Sequence, residues 1–186
     1  MGDAAVLEFS REHVAAHEAG HAVVALACGI QVRRVEVHTT RINLKQTRHG
    51  WTDALEDIWM DTAPLSRKFK LIRRIALKAG GLAGECVAEM FDSNKSFHGA
   101  KSDIEQIGGA LCELGLLEMS VEKVPAKFIE LAVCRAFKTI NANLSAFAQM
   151  RKELLVAGFL ESPKMEPMWT DDDDRLFLAE LVKVKP

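Results

Sequence analysis

The chain has 186 residues, 48% of them hydrophobic and 27% charged, with a formal net charge of -2. That length can bury one sizeable core, and the near-average composition excludes a collagen, a disulfide-stapled scaffold and wholesale disorder. With 24 Lys and Arg against 26 Asp and Glu, there is no basic excess to suggest nucleic acid as a partner.

Met1 to Ser10 contain Asp3 and Glu8 and no basic segment followed by an apolar run, so no secretory leader is expected. Gly2 does not satisfy the myristoylation pattern, because Val6 stands where Ser or Thr is required. The longest apolar run, Ala22 to Cys28, is far too short to cross a bilayer. Cys28, Cys86, Cys112 and Cys134 lie far apart without C-x-x-C spacing and read as small buried hydrophobes of a reducing compartment. The expectation is a single cytoplasmic domain over 1–186 with no membrane segment.

In chain order, Ser10 is a candidate N-cap for a helix from Arg11 to Cys28, stopped by Gly29. Arg33 to Thr39 alternates, with Val35 and Val37 on one face and Arg34, Glu36 and His38 on the other, which predicts a half-buried strand. Ile42 and Leu44 repeat the alternation weakly, so a hairpin or small sheet is expected between Val32 and Thr52. From Pro64 the pattern is helical, with Leu65, Phe69, Ile72, Ile75, Ala76 and Ala79 at three- and four-residue steps. Gly80 and Gly81 either interrupt that helix or admit another element closely, and the pattern resumes to Met90. Ser93, Asn94 and Gly99 mark a loop, and Ser102-Asp103-Ile104-Glu105 has the form of a capping box opening a helix toward Leu117. Pro125 opens a long helix to about Val156, closed by Gly158. Thr170 caps a last short helix whose first turn, Asp171 to Asp174, reads as a solvated acidic start. The sum is a mainly α fold with a small β-sheet or hairpin.

One stretch carries chemistry: His17-Glu18-Ala19-Gly20-His21, an H-E-x-x-H pattern inside the first helix. Residues four apart lie about 6 Å apart along a helix and about 40° apart around it, so two imidazoles can converge on one ion. Zinc on two histidines and a third protein ligand keeps a position open for water, whose pKa falls to about 7. Glu18 is the candidate catalytic base for that water. The helix is apolar nearly all round through Cys28, so these polar groups are buried and need partners or a ligand. His13 continues the four-residue step, but three such positions span about 12 Å, too far for one ion. Only His17 and His21 enclose a glutamate, which leaves His13 as a surface or cleft-edge residue. Several carboxylates remain able to complete the site.

The run His17 to Ala25 resembles the zinc helix of the FtsH-type ATP-dependent metalloproteases. Gly80-Gly81-Leu82-Ala83-Gly84-Glu85 is similar to the family's Gly-Gly-Arg-x-Ala-Glu segment, and Gly99-Ala100-Lys101-Ser102-Asp103-Ile104 to its Gly-Ala-x-x-Asp-Leu segment. The resemblance spans about Ser10 to Leu117. It implies a zincin-like helical peptidase fold, zinc as cofactor, His17, His21 and Asp103 as ligands and Glu18 as base. Glu85 is the rival third ligand, or else it orients a ligand histidine through its far ring nitrogen. Leu82 replaces the family's arginine and Gly84 its usual alanine, and neither the ATPase module nor its G-x-x-x-x-G-K-[ST] loop is present.

The resulting expectation is a zinc-dependent endopeptidase acting on flexible peptides or unfolded protein, alone, as a homo-oligomer or served by a separate ATPase partner. The alternatives are a catalytically silent regulatory protein that binds peptides or a partner, and a purely structural use of the three segments. An edge strand at Val35 to Thr39 or at His49 to Thr52 would pair with substrate, Trp51 would line a side-chain pocket or pack in the core, and His98 would face the oxyanion or solvent.

Overall fold

The computed structural model describes residues 9–42, 45–118 and 123–184. Leu44 and the leader and myristoylation readings over residues 1–8 lie outside them. Ser10 caps α1 (Arg11–Ala27), its hydroxyl accepting from the His13 amide at 3.1 Å, and Gly29 ends the turn at φ 78°. Fourteen of the seventeen α1 residues are buried, as an all-round apolar helix requires.

β1 (Val32–Ile42) and β2 (Lys45–Ala54) form the expected antiparallel hairpin, with Val35 opposite Thr52 and Val37 opposite Gly50. Val35 and Val37 are buried while Arg34, Glu36 and His38 are not, so the period-two reading holds. A short β3 (Phe159–Glu161), unmarked by any sequence pattern, adds to the other side of β1, giving the order β2-β1-β3.

The helices follow as α2 (Glu56–Thr62), α3 (Arg67–Val87), α4 (Ser93–Gly99), α5 (Lys101–Glu113), α6 (Ala126–Ala142), α7 (Leu144–Ala157) and α8 (Asp171–Val182). α1 is the central rod: the hairpin covers one side, α3 and α7 pack on others, and α3 in turn packs on α5 and α6. α3 runs unbroken through Gly80-Gly81, so of the two readings of that pair the close approach is correct. A Cβ on Gly20 would lie 2.2 Å from the Gly80 carbonyl oxygen, so the two backbones touch where α1 crosses α3. This crossing faces the segments His17 to His21 and Gly80 to Glu85 toward each other.

Several local expectations are corrected. The stretch around Ser93 is a helix, α4, because the Asp92 carboxylate accepts from the Asn94 and Lys95 amides. The Ser102 capping box does not form: the N-cap of α5 is Ala100, and Asp103 is turned to the site instead. The long helix after Pro125 is two, broken at Asn143, whose side-chain amide donates to the Thr139 carbonyl at 2.8 Å. Among the cysteines only Cys28 is buried; Cys86 and Cys112 are half-buried and Cys134 is exposed, and all four are free. The acidic start of α8 is only partly solvated, since Asp174 is fully buried against Arg73 and Trp169, and Asp173 pairs with Arg135. No helix among the described residues is long and apolar enough to cross a membrane.

Candidate metal centre

His17 and His21 lie one turn apart on α1, their rings edge to face with centroids 4.7 Å apart. Each ring has its far nitrogen committed. His17 Nδ1 is 2.6 Å from Glu85 Oε1 on α3, and His21 Nδ1 is 2.8 Å from the Leu77 carbonyl oxygen, also on α3. A carboxylate and a carbonyl oxygen only accept, so both Nδ1 atoms carry the proton. In the neutral rings both Nε2 atoms therefore present lone pairs, and these face each other across 3.1 Å.

Asp103, in the first turn of α5, brings a third acceptor to the same point. Its Oδ2 is 3.2 Å from His21 Nε2 and 3.5 Å from His17 Nε2. Three converging acceptors repel unless a proton or a cation sits among them. Tetrahedral zinc with bonds of 2.0–2.1 Å holds its ligand atoms about 3.3–3.4 Å apart, so the spacing and the donor types fit that ion.

The electrostatics carry the same demand. Burial disfavours the His17 imidazolium, but hydrogen bonds to Asp103 and Glu85 and the charges of Glu18 and Glu85 outweigh it and raise its pKa to about 10. Burial likewise opposes the Asp103 carboxylate, yet the charge of His21 and the hydrogen bonds of both histidines hold it far below the usual range. Glu85 is also desolvated, and its bonds to His13 and His17 lower it to about 2.

Glu85 thus reaches the His17 far nitrogen while Asp103 joins the ligand atoms, which separates the two rival carboxylates by position. Of the two readings of His13 the surface one is corrected, since the residue is buried with Nε2 3.1 Å from Glu85 Oε2, while the cleft-edge one stands, since it lines a small cavity with His17 and Glu18. The helical step that kept it from the ion points it at the carboxylate behind His17, one turn further back.

Glu18 is buried and shares a cleft of about 400 Å³ with His17, His21 and Asp103. Thr52 on β2 donates to Glu18 Oε2 at 2.7 Å, and so holds the carboxylate's orientation. Two glycines make the room. A Cβ on Gly50 would sit 2.2 Å from Glu18 Cγ, and one on Gly81 would sit 2.3 Å from His17 Nε2. The close approach at Gly81 was one of the two readings of its sequence, whereas the Thr52 bond to Glu18 and the gap at Gly50 were not recognised, the only hint being a Gly in a strand, where it is disfavoured without a packing reason.

Of the candidate substrate strands, Val35 to Thr39 has no free outer edge from Val35 to Val37. The outer side of β1 is taken by β3, and the Val37 amide donates to the Gly158 carbonyl at 2.8 Å. β2 pairs only with β1 among the described residues, which leaves its outer edge beside the cleft. Trp51 is 52% exposed and lines that cleft, so it is not core. His98 is exposed on α4. No known protein family and no curated protein matches the chain in sequence comparison.

Proposed function

We propose that the chain is a zinc-dependent endopeptidase of the FtsH peptidase type, acting in the cytoplasm on flexible or unfolded polypeptides. The observation that carries this reading is the convergence of His17 Nε2, His21 Nε2 and Asp103 Oδ2 within 3.1–3.5 Å, with both Nδ1 atoms already committed.

His17, His21 and Asp103 would hold the ion, with Glu85 and the Leu77 carbonyl fixing the two rings. When bound, zinc supplies a Lewis acid that polarises the scissile carbonyl and lowers the pKa of a water to about 7. Glu18 takes a proton from the attacking water and returns it to the leaving amine. Its buried carboxylate is kept in one orientation by Thr52 and by the gap at Gly50. The outer edge of β2 lets an extended substrate backbone add as a further strand beside the cleft.

The test is Glu18→Gln in zinc-loaded protein, assayed on casein and a peptide library. Cleavage is expected to fall by about a hundredfold to ten-thousandfold with zinc stoichiometry unchanged. Cleavage that survives the substitution would contradict the assignment, and stoichiometric zinc with no cleavage by the native chain would favour a silent peptide-binding protein.

A further inference from the structure

One wall of the cleft is built from α3 and α5 side chains that are polar rather than apolar: Lys78, Ser102 and Gln106 face it together with Thr52. Lys78 follows directly after Leu77, whose carbonyl holds His21, so its position relative to the centre is set by the same turn of helix. Behind that wall Lys78 and Arg74 share one carboxylate, with Lys78 Nζ 2.8 Å from Glu56 Oε2 and Arg74 Nε 2.5 Å from Glu56 Oε1. Two cations on one anion leave a surplus positive charge. The Glu56 side chain is buried and those of Lys78 and Arg74 are only partly exposed, so water screens that surplus incompletely. The wall is therefore locally positive on a chain whose net charge is -2. At the centre itself, the two charges of a bound zinc would be balanced by Asp103 and Glu18, and the third carboxylate, Glu85, sits behind His17 against His13 and does not line this cleft.

We propose that this wall selects peptides with an Asp or Glu side chain next to the scissile bond, and that Lys78 is the residue that confers the preference. The inference rests on the peptidase reading for the position of the bond, and on the charge arrangement for the preference. An acidic side chain would meet the surplus cation and the Ser102 and Gln106 polar groups, whereas a basic one would meet like charge.

The test uses the full zinc-loaded chain and two sets of quenched fluorescent peptides. Each set is identical except for Glu, Gln, Leu or Lys at one position, immediately before the cleaved bond in one set and immediately after it in the other. Cleavage gives kcat/KM, and anisotropy on Glu18→Gln gives Kd for the same peptides without turnover. In one of the two sets, Glu is expected to exceed Lys by about tenfold in both measures. Lys78→Met keeps the aliphatic stem and leaves Glu56 paired with Arg74, so the Glu-to-Lys ratio should fall to about one while zinc content and Tm are maintained. Glu56→Gln enlarges the surplus and should raise the ratio. Equal values for Glu and Lys in both sets, or a ratio unmoved by Lys78→Met, would overturn the inference. Ordered binding with no cleavage by the native chain would overturn the peptidase reading and leave the acidic preference standing.

Discussion

Two of the places where the molecule buries polar groups solve the cost of burial differently. Between α3 and α8, Arg73 donates to both oxygens of Asp174, at 3.2, 3.0 and 2.7 Å, and to the Cys28 carbonyl at 3.2 Å, while Trp169 Nε1 donates to Asp174 at 2.8 Å. Donors meet acceptors and the charges cancel within the chain. Between α1, α3 and α5, His17 Nε2, His21 Nε2 and Asp103 Oδ2 point at one another, and they hold together only with an added proton on His17 or a cation among them. A cluster that completes itself is part of the architecture, whereas one that leaves its lone pairs facing requires something from outside.

The comparison breaks first at its self-sufficient end. Asp174→Ala strands a buried guanidinium and should lower unfolding stability by about 3–5 kcal/mol in denaturant titrations, with zinc stoichiometry unchanged. If that substitution removed zinc instead, the two regions would not be independent. Next in size is the shell behind the ligands: Glu85→Ala should weaken zinc by about tenfold to a hundredfold while leaving the protein able to load, as read by chelator competition. His13→Ala should have a smaller effect in the same direction, because it acts only through Glu85.

Acidity sharpens the same contrast. In the metal-free chain His17 has its pKa raised from 6.5 to about 10, so its contribution to stability is complete below about pH 6.5 and is lost as pH rises toward 10. Glu85, lowered from 4.5 to about 2, contributes above about pH 4.5 and loses that contribution as pH falls toward 2. A zinc ligand must be unprotonated, so binding expels the His17 proton at neutral pH. Zinc affinity is then expected to rise by about tenfold per pH unit between pH 7 and 9, in competition titrations corrected for the chelator. A flat profile would mean that His17 gives up no proton to the ion.

What could be read from the chain was what is local. The Ser10 cap, the Gly29 stop of α1, the β1 alternation and the pair His17 and His21 depend on residues within a few positions of one another. The Thr170 cap was equally legible, and its hydroxyl does accept from the Asp173 amide at 3.3 Å. Contacts between distant segments were not. Asp103 lies 82 positions from His21 and was one carboxylate among several until the family resemblance singled it out. His13 looked peripheral because its partner, Glu85, is 72 positions away. Asp174 looked solvated because nothing near it in the chain announces Arg73. The loop expected at Ser93 failed for another reason: the Asp92 cap makes a helix of a stretch whose composition reads as a turn.

The central claim is that His17, His21 and Asp103 form a cation site, and metal content tests it most directly. Chain purified without chelators should carry one zinc per molecule by plasma emission, and Asp103→Ala should lose it while remaining folded by circular dichroism. Native protein that takes up no transition metal at neutral pH, or an Asp103→Ala variant that retains a full equivalent, would contradict the account.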